Sequence, residues 1–203
     1  MTLQQHMRRA AEDALRSFPE ALLPDIYVIS LRISHGEFST VHELWDYPYD
    51  PYMAIGYNTE SNVRQNLEGS SADPLEVRWN YACMLLEESG PAGHHPADPE
   101  GTALYLDEVK RLGLWYEPDE DAEAEQDEQD EQDEQDERLC AHFDDLCIDA
   151  ARHLHSTGLV QKVLGREVPI ILFDMFRVIE PGATQAANPP HLVPAGYLTF
   201  QQG

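Results

Sequence analysis

The chain has 203 residues, enough for one sizeable core and short for two. Its 13 Lys and Arg stand against 38 Asp and Glu, a formal net charge of −25, which argues against a basic nucleic-acid-binding surface. No apolar stretch reaches the roughly 20 residues that span a bilayer, Met1–His6 lacks the apolar core of a signal peptide, and Cys83, Cys140 and Cys147 are too few and scattered for a disulfide framework, so a reducing cytoplasm is expected.

Leu3, Met7, Ala10, Ala11 and Leu15 recur at helical spacing and predict a helix over 3–17. Residues 25–34 are rich in apolar and β-branched types and predict a buried strand. His35-Gly36 reads as a turn, residues 38–45 as the return strand of a hairpin, and residues 53–57 as a third strand after Pro48 and Pro51. A short helix is expected over 60–68, capped by Asn58 or Thr59, with Glu60 in its first turn. Leu75, Val77, Trp79 and Tyr81 alternate with polar residues, which predicts a half-buried strand with Trp79 inward. The glycines and prolines of 88–101 read as a loop, and residues 102–112 as a helix.

Fourteen carboxylates and no base fall within 117–137, which includes a tandem Glu-Gln-Asp repeat. With no apolar residue beyond alanine, nothing there offsets the entropy of ordering, so a mobile linker or a frayed, charged helix extension is expected. The remaining residues still carry 24 acids against 13 bases. Leu139, Phe143, Leu146, Cys147, Ala150 and Leu154 mark one face of an amphipathic helix ending near Gly158. Residues 167–175 read as a buried strand with Pro169 near its start, and residues 180–203 as irregular chain.

Helix, meandering strands, helix, strand, helices and strand in that order predict one α+β domain spanning 1–203, interrupted by the acidic insertion at 117–137. Its sheet is expected to be mainly antiparallel, of about four to six strands, with helices on one face.

Cys140 and Cys147 lie two helical turns apart, about 10 Å, too far to share a metal. His94-His95 sits in a Pro/Gly loop near Glu87, Glu88 and Asp98, where adjacent side chains rarely converge on one ion. Asp149 and His153, at i and i+4, are placed to pair or chelate on an otherwise ordinary ion-paired face with His142, Asp145 and Arg152. No Gly-x-Ser-x-Gly or His-Glu-x-x-His motif is present. Asp174, inside an apolar strand, is the carboxylate whose setting suggests burial, most simply as a hydrogen-bonded strand-end residue. No cofactor, catalytic residue or metal ligand set is expected.

Trp45, Tyr47, Tyr49, Tyr52 and Tyr57 cluster beside Pro48 and Pro51, with Asp46 and Asp50 among them. They read either as packing over the sheet end or as an interface, because stiffened tyrosines give contact area at low entropic cost. The second reading makes Trp45, Asp46, Tyr47, Tyr49, Asp50 and Tyr52 a partner-binding set suited to a basic protein.

On Tyr57-Asn58-Thr59-Glu60, Arg78-Trp79, Leu172-Phe173-Asp174 and Asn188-Pro189, the chain resembles the bacterial domain of unknown function 4303 family, over about residues 5–115 and 138–190. The resemblance implies a compact α+β domain with no established enzymatic activity. The expected function is therefore a non-enzymatic protein-binding module, such as an immunity protein neutralising a basic toxin. The alternative is a small-molecule-binding or hydrolytic domain using Asp174 and a histidine. Neither nucleic acid nor membrane is an expected partner.

Overall fold

The computed structural model describes residues 1–35, 51–85, 88–115, 126–174, 179 and 182–200. Helix α1 (Leu3–Arg16) opens with a reciprocal cap: Gln5 N–H donates to Thr2 Oγ1 (3.2 Å) and Thr2 N–H to Gln5 Oε1 (3.1 Å). It buries Leu3, Met7, Ala11, Ala14 and Leu15 along one stripe. Strand β1 (Ile26–His35) follows, and β2 (Pro51–Thr59) pairs with it antiparallel, so that Leu31 faces Ile55 and Ile33 faces Met53. The expected third strand is thus β1's direct antiparallel partner; the proposed return strand at 38–45 lies outside the described residues.

Helix α2 (Glu60–Leu67) is capped by Thr59, whose Oγ1 accepts from Asn62 N–H (3.1 Å). The strand expected over 75–81 is instead a helix, α3 (Pro74–Trp79), followed by a 3-10 turn at Tyr81–Cys83. Asp73 caps it and Pro74 starts it; within six residues two buried positions, Val77 and Trp79, mimic a period of two. Trp79 is buried as expected, but from a helix.

The expected loop at 88–101 contains an edge strand, β3 (Glu88–Gly93), antiparallel to β2, where Pro91 is tolerated because an edge strand can spare a donor. Gly93 there adopts φ +123°, and a Cβ on it would stand 2.8 Å from Pro51 O. Helix α4 (Pro99–Leu112) starts earlier than the apolar pattern indicated, because Asp98 caps it.

Helix α5 (Gln126–Ser156) absorbs the second half of the acidic tract. Residues 126–137 continue the core helix toward its N-terminus, where glutamate and glutamine propensity and the positive dipole end favour helix. Burial begins at Leu139 and continues through Phe143, Cys147, Ala150, Ala151 and Leu154. A short α6 (Leu159–Leu164) leads to β4 (Ile170–Asp174), which joins β1 in parallel with Ile29 beside Ile170 and Ile33 beside Asp174. The region expected to be irregular holds two short helices, α7 (Gly182–Ala187) and α8 (Ala195–Phe200).

The fold is α+β, with four strands in the order β3-β2-β1-β4. The predicted helical layer, α1, α4, α5 and α6, packs on the sheet face carrying Ile29, Leu31, Ile33, Met53 and Ile55. The opposite face carries a smaller layer the sequence reading did not foresee. There Tyr27, Val28 and Ile171 meet Val63 of α2, Val77 and Trp79 of α3, and Tyr197 of α8.

Candidate binding cleft

The smaller layer is held by polar joints before it presents any surface. Asn58 is fully buried on β2; its Oδ1 accepts from Thr59 N–H (2.9 Å) and Asn62 Nδ2 (2.9 Å), and its Nδ2 donates to Tyr27 Oη (3.1 Å). Tyr27 Oη donates in turn to Arg78 O (2.5 Å), and burial pushes the Tyr27 phenol up to about 12. Arg78 grips Glu60 with two bonds (2.6 and 2.9 Å), which hold that carboxyl below its usual range, and its guanidinium lies 4.0 Å above the Tyr27 ring. Asn62 and Asn66 both donate to Cys83 O (2.9 and 3.1 Å), fixing the 3-10 turn.

On this base the aromatic residues form a cleft. Trp79 stands edge-on between Tyr27 (5.6 Å, 74°) and Tyr197 (5.7 Å, 75°). Tyr81 lies flat on Phe173 (5.4 Å, 12°). A cavity of about 250 Å³ opens among Trp79, Asn80, Tyr81, Phe173, Tyr197 and Phe200, with Ile171 and Leu172 also in its wall. Leu75 and Tyr81 are 37% and 38% exposed, rare for large apolar residues in this molecule. The Trp79 indole N–H is buried without an acceptor, beside Gly196, where a Cβ would come within 3.4 Å of it. Among the described residues that line the cavity there is no carboxylate, imidazole, amine, thiol or serine.

A second groove, about 370 Å³, runs between α1 and the β3–α4 junction, lined in part by His6, Arg9, Asp13, Ser89 and Asp98. Asp98 is committed to structure there. Its Oδ2 accepts from His6 Nε2 (2.8 Å) and Gly93 N–H (3.0 Å), and its Oδ1 from Gly101 N–H (3.0 Å).

Trp45, Asp46, Tyr47, Tyr49 and Asp50 lie outside the described residues. Tyr52, the remaining member of the proposed partner-binding set, is 3% exposed on β2 with its ring 4.7 Å from that of His95. Asp149 and His153 do not pair with each other. Asp149 takes two bonds from Arg8 (2.6 and 2.7 Å) and His153 meets Glu12 (2.7 Å), tying α5 to α1. Asp174 is buried at the end of β4. Burial lowers the pKa of His94 and of His95. Among the described residues no group of three or more His, Cys, Asp or Glu is placed to hold a metal ion, and no helix is long and apolar enough to cross a membrane. The cleft itself was not legible: its walls come from residues 79–81, 171–173 and 197–200, and only Tyr197 and Phe200, at i and i+3 in a tail read as irregular, carried a local signal.

No family model, curated protein or solved structure matches this chain.

Proposed function

We propose that the chain is a non-enzymatic module that binds a basic protein, in the manner of an immunity protein neutralising a toxin, and that it belongs with the family it resembles. The observation that carries this reading is an open aromatic cleft whose described wall residues include no group that could serve as acid, base or nucleophile at neutral pH, on a strongly acidic molecule. Aromatic residues supply desolvated contact, and surrounding carboxylates speed and orient the approach of a positive surface. Residues Trp45, Asp46, Tyr47, Tyr49 and Asp50 stay in the proposal as a second contact. Support also comes from the residues of the resemblance, since Asn58, Glu60 and Arg78 are the joints that hold the cleft in shape.

The test is affinity capture from the source cells with the whole chain, followed by binding kinetics on the captured protein. Recovery of a basic partner whose association slows with added salt, and whose complex weakens in Leu75→Ala and Tyr81→Ala, supports the proposal. A metal- or substrate-dependent activity lost in Asp174→Asn, with no partner recovered, would replace it with the hydrolytic alternative.

A further inference from the structure

We infer that the cleft seats one cationic side chain of that basic partner, a guanidinium or ammonium group lodged against Trp79, Tyr81 and their aromatic neighbours; this rests on the protein-binding reading above. Five of the eight described residues in the wall are aromatic: Trp79, Tyr81, Phe173, Tyr197 and Phe200. An aliphatic guest would be served as well by leucine and isoleucine. A wall built from rings offers the negative π faces that attract a cation as well as apolar contact for its methylene stem.

The fold already uses this chemistry. The Arg78 guanidinium sits over the rings of Tyr27 (4.0 Å) and Trp79 (5.3 Å), and Lys110 Nζ stands 4.8 Å from the ring of Trp115. A volume of about 250 Å³ admits a long side chain. Acceptors are at hand as well. Asn80 Oδ1 takes a single described hydrogen bond, from Ala82 N–H (3.0 Å), and keeps a second lone pair. Tyr81 is half-exposed, and Glu76, on the solvent side of α3, lies one helical turn before Asn80. The net charge of −25 selects the sign of the guest, because a cation entering the cleft moves down the field of the whole molecule while an anion moves against it.

The experiment titrates the full chain with N-acetyl-arginine amide, its neutral isostere N-acetyl-citrulline amide and N-acetyl-norleucine amide, following the aromatic resonances of Trp79, Tyr81 and Phe200 by NMR. The expected result is saturable shifts at these rings with the arginine probe and at least fivefold weaker binding of the other two. Tyr81→Leu keeps apolar bulk but removes a π face, and Phe173→Leu does the same behind it; each should weaken the arginine probe at least fivefold with the dispersion of the remaining resonances retained. Equal binding of the arginine and citrulline probes, tighter binding of the norleucine probe, or shifts confined to rings elsewhere would overturn the inference. Capture of a basic partner without arginine selectivity leaves the module reading standing and removes this one. Arginine selectivity with no basic partner does the reverse.

Discussion

Asn188 pairs with Ile170 as though it were a residue on a fifth strand. Its Oδ1 accepts from Ile170 N–H (2.8 Å) and its Nδ2 donates to Ile170 O (2.6 Å), so one side-chain amide reproduces both bonds of an antiparallel pair. Thr184 Oγ1 then accepts from Leu172 N–H (3.1 Å). The outer edge of β4 is thereby closed by side chains at and just beyond α7, which blunts an otherwise adhesive edge.

Asn188→Ala should be among the more damaging single changes outside the apolar core. It strands a buried N–H and C=O on Ile170, and each such group costs about 1–3 kcal/mol. A loss of about 3 kcal/mol or more in urea denaturation is expected, with faster hydrogen exchange at Ile170. Retention of wild-type stability would show that water replaces the amide freely.

The same amide fixes the state of His155. Because Asn188 Oδ1 is an acceptor, His155 Nε2 (3.0 Å) must carry the proton, leaving Nδ1 buried with no partner. Burial lowers the His155 pKa against the opposing influence of Asn188 and Glu167 and with a small contribution from His191. A histidine held neutral in the folded state gives its full stability above its unfolded value of about 6.5, and loses it as pH falls from there toward the folded value. His94 and His95 act in the same direction. Stability should therefore decline between pH 7.5 and 5.5, and His155→Gln, which keeps a donor for Asn188, should reduce that slope. Carboxylates with lowered values, Glu12, Glu60, Glu108 and Asp149, add a second decline below about pH 4.5. A slope unchanged in His155→Gln would show that Nδ1 finds solvent.

Trp79 separates ring burial from its polar atom. Trp79→Ala should cost about 3–5 kcal/mol through lost packing and a cavity. Trp79→Phe gives up an indole N–H that has no acceptor to lose, so it should cost less than about 1.5 kcal/mol. Thermal melts of the two variants decide it; equal losses would mean that the indole donor is engaged.

Replacing residues 119–136 with a short Gly/Ser linker should move the melting temperature by less than about 4 °C, roughly 1 kcal/mol in a domain this size. Among the described side chains of α5, the buried core residues begin at Leu139, beyond the replaced stretch. A larger drop would mean that the acidic turns of α5 anchor the fold.

The core helices and central strands were legible because their apolar residues repeat at one period over several turns, as from Leu139 to Leu154, or run together, as from Ile26 to Ile29. The α3 segment was misread because six residues are too few to separate the two periods, although Asp73-Pro74 is a helix-start signal that outweighs them. Gly90, Pro91 and Gly93 hid β3, since edge strands tolerate the residues that mark loops. Polar pairing was the least legible. Asp149 and His153 share a helix face at ideal spacing, yet Arg8 and Glu12, 141 residues away in the chain, outcompete that local contact. The cleft is likewise assembled from three distant stretches, and no local spacing announces it.

The parallel pairing of β1 with β4 sets a schedule for biosynthesis. β1 emerges well before its neighbour on that side, which begins at Ile170, and the amide that seals β4 is Asn188. At about 5–20 residues per second a ribosome needs on the order of ten seconds to bridge that interval. Throughout it Ile29, Leu31 and Ile33 wait on a strand paired at most on one side. Chaperone occupancy of ribosome-bound chains should accordingly persist until Asn188 has left the exit tunnel. Truncations just short of Asn188 should aggregate where chains that include residues 182–200 do not.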